Sequence, residues 1–315
     1  MTATALAWQK HGLIFQPDPS RAWMRTHAAV PVPMPLHGSI CRVYFSGRDE
    51  RNRSHVGYFD TDLDTPGRIV NVSADPVVAP GPPGHYDADG VYAEGVVRDG
   101  DRVRLYTIGV TTGATRPLFY AAIGASESLD GGTTFTKLSD APLMNRSHHD
   151  PCLVTAPFVL REGTRWRMWY VAGTAWTQEP HGLQSHYHVK YAESADGLAW
   201  RRENQDCIVA DEPDETNIAR LWVVNDDGRY RGWFSASGRR GYHLGYAESP
   251  DGVTWTRADH LAGLSGTPGD WDSDAQAYPA VVRHGDRWFL FYNGNAFGRD
   301  GVGLASAPVA PLGGY

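Results

Sequence analysis

The sequence predicts an all-β protein, specifically a five-bladed β-propeller, and two observations support this class. First, a hairpin pattern recurs at Ala122–Lys137, His188–Arg202 and Gly241–Arg257. Each copy has an apolar strand, a Glu-Ser step, an Asp-Gly turn and an aromatic-led strand, and Asp-Gly tolerates the positive φ angles of a tight hairpin turn. Second, 35 Gly and 21 Pro punctuate a chain of 315 residues that has no long amphipathic helical window.

The spacing of the hairpins predicts the number of blades. Their Glu-Ser steps, at positions 127, 193 and 248, are 66 and 55 residues apart, which suits a four-stranded blade better than a helical repeat. Fainter copies of the first hairpin strand occur at His55–Thr61 and Val302–Ala307, which makes five. We expect the strand Ala5–Gln9 to pair with Val302–Ala307 and to close the last blade, so that residues 1–315 form a single domain.

Each predicted blade contains two recognisable strands. The second strands end in an aromatic and small-residue motif, and they are Cys41–Gly47, Arg104–Gly109, Arg167–Gly173, Arg231–Ser237 and Trp288–Gly294. Reading backwards through a short turn from each gives inner strands at about Thr26–Pro33, Gly90–Val97, Val154–Leu160, Ile218–Val224 and Ala275–Val282. The starts of the inner strands are expected to surround the mouth of a central channel.

Charge and composition restrict the functional class. A formal net charge of −7 without a basic run argues against nucleic acid or an anionic membrane as partner. The first residues lack a basic region followed by an apolar core, and no stretch approaches the roughly 20 apolar residues of a membrane span. We therefore expect a cytoplasmic protein. Cys41, Cys152 and Cys207 are widely spaced, which predicts reduced thiols rather than a disulfide framework or a zinc site.

Acidic residues stand where four of the five predicted inner strands begin. When the blades are aligned on their turns, Asp87 and Asp150 fall at the level of Asp272, with Glu215 within a residue of it. Glycosidic bond cleavage uses one carboxylic acid and a second carboxylate on the opposite side of the sugar, and crowding of like charges raises the pKa of one of them. The ordinary alternative is that these acids cap turns.

From this alignment we predict that Asp87, Glu215 and Asp272 are catalytic. Glu215 is predicted to be the general acid, because the sparsely charged segment Asn217–Leu221 would raise its pKa. Asp272 would be the base that activates water, and Asp87 would orient the substrate or tune the acid.

These features carry a family resemblance. The repeated Tyr-Ala-Glu-Ser-x-Asp-Gly-x-x-Trp hairpins, the five blades and the mouth-facing acids resemble the five-bladed propeller glycosidases, which include arabinanase/xylosidase, invertase-type and mannoside phosphorylase families. The resemblance covers nearly the whole chain and implies inner-strand carboxylates as acid and base, with a sugar at the axial mouth. The chain departs from the families at the first blade, where they usually place an Asp and this sequence has Arg25-Thr26-His27-Ala28.

Further residues near the predicted mouth are expected to bind the substrate. Arg25, Arg48 and Arg220 would provide donors for a carboxylate or phosphate, and Trp176 and His186 in the long insertion 174–187 would form a stacking wall with Tyr187. A solvated turn and ordinary loop packing are the alternatives. The complete predicted binding set is Arg25, His27, Arg48, Asp49, Asp89, His149, Asp150, Trp176, His186, Arg220, Asp274 and Tyr278.

Taken together, these features predict a glycoside hydrolase-like enzyme (a glycosidase) that acts on a glycoside or another sugar-containing small molecule. Two alternatives stay open: a propeller recruited as a phosphorylase, transferase, lyase or cyclase, and a non-catalytic carbohydrate-binding propeller. Ser128–Phe135 also matches the Asp-box of sialidases, although those have six blades. We expect no cofactor, with a channel calcium as the alternative. Adjacent His148 and His149 cannot both point the same way along a strand, so that pair alone does not make a zinc site.

Overall fold

The structure is a computed structural model that describes residues 5–180, 182–238 and 241–309. These residues form twenty β-strands, a short 3-10 helix at Asp259–Leu261 and a four-residue turn at Asn295–Gly298. The strands are β1 (Gln9–Phe15), β2 (Thr26–Pro35), β3 (Ile40–Arg48), β4 (Ser54–Asp62), β5 (Arg68–Val72), β6 (Val91–Asp99), β7 (Arg102–Thr112), β8 (Phe119–Ser128), β9 (Thr136–Lys137), β10 (Leu153–Glu162), β11 (Arg165–Glu179), β12 (Gly182–Ser194), β13 (Arg201–Ile208), β14 (Glu215–Asp226), β15 (Arg229–Gly238), β16 (Gly241–Ser249), β17 (Thr256–Arg257), β18 (Ala277–His284), β19 (Arg287–Asn293) and β20 (Val302–Pro308). The expected all-β class is confirmed.

The strands assemble into four-stranded antiparallel units. Three are separate sheets, with strand orders β2-β3-β4-β5, β6-β7-β8-β9 and β1-β20-β19-β18. The remaining strands, β10 to β17, form one eight-stranded sheet, because a parallel pair between Tyr187 and Asn217 joins β12 to β14. The first strands contact one another in the order β2, β6, β10, β14 and β18, and β18 also contacts β2. The first strand of every unit therefore faces a shared centre.

The predicted strand positions agree with the structure, and two strands extend further than predicted, into the insertion 174–187. The five second strands are β3, β7, β11, β15 and β19, and the five inner strands are β2, β6, β10, β14 and β18. The insertion 174–187 is not a loop, because β11 and β12 extend through it as a hairpin paired from Ala175–His186 to Glu179–Gly182. Backbone hydrogen bonding in the hairpin replaces the solvent contacts that a free loop would make.

The N-terminal strand pairs with the C-terminal strand, but later along the chain than predicted. β1 runs antiparallel to β20 from Gln9–Ser306 to Phe15–Val302. The expected strand Ala5–Gln9 therefore reaches the pairing region only at its last residue. Trp8 lies just before β1 and donates its indole N–H to the Ala262 carbonyl at 2.8 Å. The repeat explains this position, because β13 and β17 likewise begin immediately after Trp200 and Trp255.

The Asp-Gly turns hold neighbouring units together. Within each turn, a Ser hydroxyl accepts a hydrogen bond from the backbone N–H of the Gly or of the residue after it. Ser194 accepts from Gly197 in this way at 2.9 Å. The same Gly then presents its carbonyl to the second strand of the preceding unit, where Tyr106 donates to Gly197 at 2.8 Å and Trp169 donates to Gly252 at 2.7 Å. The recurring hairpin motif thus encodes a contact between units as well as a turn.

Large aromatic side chains fill the interior between the sheets. Trp169, Trp233 and Trp288 are among the largest fully buried side chains. Phe15 of β1 stacks on Phe59 of β4 with ring centroids 4.3 Å apart, so the N-terminal strand contributes to the same core.

In the described part of the chain, no helix has both the length and the apolar character needed to cross a membrane.

Candidate functional site

A cavity of about 430 Å³ lies where the five first strands meet. Each of these strands contributes to its wall, and residues of the second and third strands, together with Asn52 and Phe297, complete it. The lining residues are Ala29, Val30, Arg48, Asn52, Tyr92, Glu94, Ile108, Val110, Phe119, Thr155, Ala156, Val171, Tyr187, Ala219, Arg220, Tyr242, Tyr278 and Phe297. We call this the central cavity. A mostly apolar pocket with a few polar groups is typical of a small-molecule site.

Three polar residues of the cavity wall lie at irregularities of the first strands. The antiparallel register shifts between Ala93 and Gly95, between Ala219 and Trp222, and between Ala277 and Ala280. Glu94, Arg220 and Tyr278 fall within these shifts, and φ is 41° at Arg220 and 55° at Tyr278. β-bulges re-aim side chains, and a positive φ in a bulky residue costs free energy that functional sites often store.

Glu94 is the one carboxylate among the described residues that line the central cavity. Its side chain is buried, with 5% of its surface exposed, and Oε2 has no hydrogen-bond partner. Burial raises the pKa of the carboxyl to about 7, and the positive charge of Arg220 opposes this rise. A carboxyl group with a pKa near neutrality can both donate and accept a proton.

Arg220 is the partner of Glu94 in the cavity wall. Its guanidinium is 1% exposed and donates through Nη2 to the Pro31 carbonyl at 2.6 Å. Nε lies 3.8 Å from Glu94 Oε2, and neither Nε nor Nη1 has a hydrogen-bond partner. Burial lowers the pKa of Arg220 to about 10, so the group still carries its charge at neutral pH.

Aromatic side chains form much of the remaining wall. The hydroxyl oxygens of Tyr187 and Tyr242 are 2.5 Å apart, and the Tyr242 ring lies 5.8 Å from that of Tyr278. At the rim, Phe119 meets Trp176 edge to face with centroids 5.9 Å apart, and Phe297 meets Tyr242 in the same manner at 5.9 Å. Such faces suit the apolar side of a sugar ring.

The comparisons with known proteins identify a family. No family model matches the chain. "Uncharacterized protein Rv1502" of Mycobacterium tuberculosis strain H37Rv is 38% identical over 301 residues, which cover 95% of this chain and 99% of the relative. "Uncharacterized protein MT1551" of strain CDC 1551 matches with the same identity and coverage. The chain belongs to the family of these two proteins.

Solved structures similar to this member of the Rv1502 family are propeller glycoside hydrolases, which confirms the expected resemblance in fold. A structure described as "Glycoside hydrolase" has a TM-score of 0.73 at 18% identity, covering 99% of this chain and 94% of that protein. A thermostable family-43 glycoside hydrolase gives 0.64 at 14% identity, covering 89% and 88%. The Bombyx mori GH32 beta-fructofuranosidase BmSUC1 gives 0.62 at 13% identity, covering 92% and 62%. At these identities the likeness shows the fold alone.

In this Rv1502-family chain, the three residues predicted to be catalytic do not line the central cavity. Each is held in an ion pair with a cation from the outermost strand of its own unit. Asp87 pairs with Lys137 at 2.5 Å and Asp272 with Lys10 at 2.6 Å. Glu215 accepts two hydrogen bonds from Arg257, at 2.7 and 2.8 Å. These ion pairs and their positions outside the lining of the central cavity favour a structural role over the predicted catalytic one.

The predicted environment of Glu215 is also wrong. Burial alone would raise the pKa of this carboxyl, but the hydrogen bonds and charge of Arg257 lower it below its usual range. Glu215 is therefore ionised at neutral pH and is unsuited to act as a general acid. The predicted surroundings of Asn217–Leu221 did not include Arg257, which lies 42 residues away in the sequence.

Asp150 continues the same pattern in the third unit and is not a cavity residue. Its carboxylate is fully buried and accepts from Lys190 at 3.0 Å and from Arg202 at 2.8 Å. The Tyr170 hydroxyl lies 3.3 Å from Oδ2. Four units thus carry an acid at the start of the first strand that is paired with a basic residue of the outermost strand. We call Asp87–Lys137, Asp150–Arg202, Glu215–Arg257 and Asp272–Lys10 the unit ion pairs.

Three of the predicted binding residues line the central cavity. They are Arg48, Arg220 and Tyr278. Arg48 donates to Asn52 Oδ1 at 3.1 Å, and its buried Nε has no partner. Trp176 reaches the cavity through its contact with Phe119.

The other predicted binding residues lie outside the cavity lining, for identifiable reasons. Asp49 accepts a hydrogen bond from Arg53 and lies within hydrogen-bond distance of His55, so it stabilises the turn in which it lies. Asp89 is exposed and accepts the Thr112 N–H at 2.7 Å. His186 bonds to Thr177 across the β11–β12 hairpin. The remaining residues with no place in the lining are Arg25, His27, His149 and Asp274.

Glu94, the most informative residue of the cavity, is absent from the set predicted from the sequence. It lies in Val91–Val97, a stretch that is otherwise apolar or small apart from Tyr92. A lone acid in a buried strand was the available signal, since carboxylates are seldom buried without a reason. The predicted acids Asp87, Asp150, Glu215 and Asp272 stand at or before the starts of first strands, whereas the first-strand residues that line the cavity in these units come four to seven residues after them.

The described residues offer little for a metal. Among them, no group of three or more His, Cys, Asp or Glu side chains is arranged to hold an ion. The rings of His148 and His149 contact each other, with centroids 3.7 Å apart and planes tilted by 46°. Cys41, Cys152 and Cys207 are free thiols in the described chain.

Proposed function

We propose that this chain cleaves the glycosidic bond of a sugar-containing small molecule in the central cavity, with Glu94 as general acid. The observation that carries the proposal is a buried carboxyl with a pKa near 7 in a cavity where five strands converge. The fold shared with glycoside hydrolases supports the reaction class by analogy.

The chemistry assigned to Glu94 follows from its environment. With its pKa raised to about 7, Glu94 still holds its proton in part of the molecules at neutral pH and can donate it to the leaving oxygen of a glycoside. After donation the carboxylate is negative, and Arg220 Nε, 3.8 Å away in the resting structure, is placed to stabilise that charge. The aromatic wall would orient the sugar ring above Glu94.

The experiment compares turnover by the wild type and by Glu94→Gln on a panel of methyl glycosides, which have a poor leaving group, and on the matching activated 4-nitrophenyl glycosides. Loss of a general acid is expected to reduce the rate about 10²–10⁴-fold on substrates with poor leaving groups, and less on activated aryl glycosides. Glu50→Gln, a change at an exposed glutamate, serves as the matched control. Equal activity of Glu94→Gln and the wild type on the methyl glycosides would reject the assignment.

A non-hydrolytic reaction is the second candidate, and the number of carboxylates favours it. Hydrolysis of glycosides ordinarily uses two carboxyl groups, whereas Glu94 stands alone among the described lining residues. If the group that attacks the sugar is already deprotonated, no second carboxylate is needed as a base. One carboxylic acid that protonates the leaving oxygen would then be sufficient. Incorporation of oxygen from ¹⁸O-labelled water into the sugar product indicates hydrolysis, and its absence indicates transfer to another acceptor or elimination.

We also propose that the five four-stranded units are the five blades of one closed propeller domain. The mutual contacts of the first strands and the pairing of β1 with β20 support this. In this arrangement β1 supplies the outermost strand of the last blade, as β5, β9, β13 and β17 do in the others.

A further inference from the structure

We propose that the central cavity binds an oxyanion, a carboxylate or phosphate, through Arg220 and Arg48. The inference deepens the proposed function by naming the substrate class. It uses that function only for the location of the site, because binding can be measured without turnover.

The first argument is the set of unused donors. Arg220 Nε and Nη1 and Arg48 Nε are buried nitrogen atoms without a hydrogen-bond partner, and both residues line the cavity. Arg220 is almost completely buried, and the Pro31 carbonyl engages Nη2. A buried guanidinium with unpaired N–H groups is costly unless a partner arrives, and carboxylate or phosphate oxygens are the acceptors that fit it best.

The second argument is the charge balance. The described lining residues contain two arginines and one carboxylate, so the wall carries an excess of positive charge. Glu94 balances one of these two charges, since its Oε2 lies 3.8 Å from Arg220 Nε, and the second arginine charge has no carboxylate among the described lining residues. An anionic ligand would supply the missing negative charge in surroundings of low dielectric constant.

The third argument is the rim beside Arg48. His27 lies close enough to Arg48 and Arg299 for both charges to act on it. Burial, followed by these two charges, lowers the pKa of His27 to about 4, so it is neutral at physiological pH. Arg299 is also paired with Asp300 at 3.6 Å, so Arg48 is the cation on this side of the mouth that draws an anion towards the cavity.

The test is calorimetric titration of the full chain with four probes: glucuronate, glucose 6-phosphate, inorganic phosphate and glucose. We expect the anionic probes to bind at least tenfold more tightly than glucose. Preference for an acidic sugar would place the oxyanion on the substrate, whereas tight binding of inorganic phosphate alone would place it on a co-substrate. Affinity for glucose equal to that for every anion would overturn the proposal.

Two variants locate the site, and a third is the control. Arg48→Gln and Arg220→Gln should each weaken anion binding at least tenfold, and Arg25→Gln, at an exposed arginine outside the cavity, should not change it. Since Arg220→Gln removes a buried side chain and can impair folding, Arg48→Gln, at a partly exposed position, is the decisive variant. Unchanged anion affinity in folded Arg48→Gln would refute its role.

The same titrations in Glu94→Gln separate this inference from the proposed function. Anion binding that persists in this variant, together with undiminished turnover, would reject the catalytic role of Glu94 and leave the anion site intact. Suppose instead that the variant loses turnover and that the anionic probes bind no more tightly than glucose. This result would support Glu94 as the general acid and reject the anion site.

Discussion

Glu94 Oε2 and Arg220 Nε face each other 3.8 Å apart, both buried and neither hydrogen-bonded. The two residues come from the first strands of different units, so the pair exists only when those units are assembled around the cavity. The effect of burial on Glu94 exceeds the effect of the Arg220 charge, which is why the pKa of the carboxyl is raised despite the nearby cation. This relationship predicts a pH dependence of stability.

The free energy of unfolding should decrease between pH 5 and pH 9 because of Glu94. Its pKa rises from 4.5 to about 7 on folding, so its stabilising contribution is complete below pH 4.5 and is lost as the pH rises through 7. At about 1.4 kcal/mol per pKa unit, the loss is ~3 kcal/mol. Urea unfolding of the wild type and Glu94→Gln across this range measures it. The two curves should diverge between about pH 4.5 and pH 7 and run parallel above that range, with Glu50→Gln following the wild type. Curves for all three chains that stay parallel from pH 5 to pH 9 would contradict the prediction.

The unit ion pairs predict a different mutational pattern, in which stability is lost rather than catalytic chemistry. Asp150→Asn leaves the buried Lys190 ammonium without its carboxylate and should cost about 3–5 kcal/mol. Asp272→Asn should cost less, because its partner Lys10 is 25% exposed and can be hydrated. Asp274→Asn, at an exposed position, is the control. Thermal unfolding gives the order, and a fully stable Asp150→Asn would show that the pair contributes nothing.

At low pH, the free energy of unfolding should depend on two of these pairs, Glu215–Arg257 and Asp272–Lys10. Hydrogen bonding and charge from Arg257 and from Lys10, acting against burial, lower the pKa values of Glu215 and Asp272. Their contribution is present above the ordinary pKa of a carboxyl and is lost as the pH falls through the lowered values. Stability should therefore decline below about pH 4, and the Glu215→Gln chain should decline less steeply than the wild type.

The sequence predicts those features of the structure that depend on residues close together in the chain, and it predicts contacts between distant residues less well. The Asp-Gly turns and the strands flanking them are defined within about fifteen residues, so the strand positions were predictable. The alignment of Asp87, Asp150, Glu215 and Asp272 was also sound, but their partners come from outermost strands 42 to 262 residues away. The partner cations stand at the end of the recurring hairpin motif, as Lys137, Arg202 and Arg257, and this was the overlooked signal. Glu94 was missed because a register shift re-aims it, and strand alternation does not encode such a shift.

Removal of residues 1–15 should strongly destabilise the chain. It deletes β1, exposes the edge of β20, and removes the stacking of Phe15 on Phe59 and the Lys10–Asp272 ion pair. Each buried apolar side chain contributes about 1.5–3 kcal/mol, and the combined loss should lower the unfolding midpoint by about 10 °C or more. Lys10→Met, which removes the ion pair alone, should have a smaller effect. A synthetic peptide of residues 5–17 added to the truncated chain should restore part of the loss, and an unchanged midpoint after truncation would contradict closure by β1.

Phe297 should contribute to binding at a cost in stability. It lines the central cavity, is 53% exposed, and meets the Tyr242 ring at 5.9 Å, while Ala296 and Phe297 have φ values of 54° and 59°. A bulky residue in the left-handed region costs about 1–2 kcal/mol, and glycine avoids that cost. Phe297→Gly should therefore raise the unfolding midpoint and weaken ligand binding by about tenfold, since the aromatic face is lost.

Thermal unfolding and calorimetric titration with the tightest-binding probe test the two effects of Phe297 separately. Leu129→Ala removes another exposed apolar side chain, one that is 74% exposed and outside the cavity lining, and should leave affinity unchanged. Phe297→Ala separates the effects further, because alanine removes the ring but retains the strain of a side chain at positive φ. It should bind as weakly as Phe297→Gly without the gain in stability. A glycine variant that binds as tightly as the wild type would assign Phe297 to the turn rather than to the ligand.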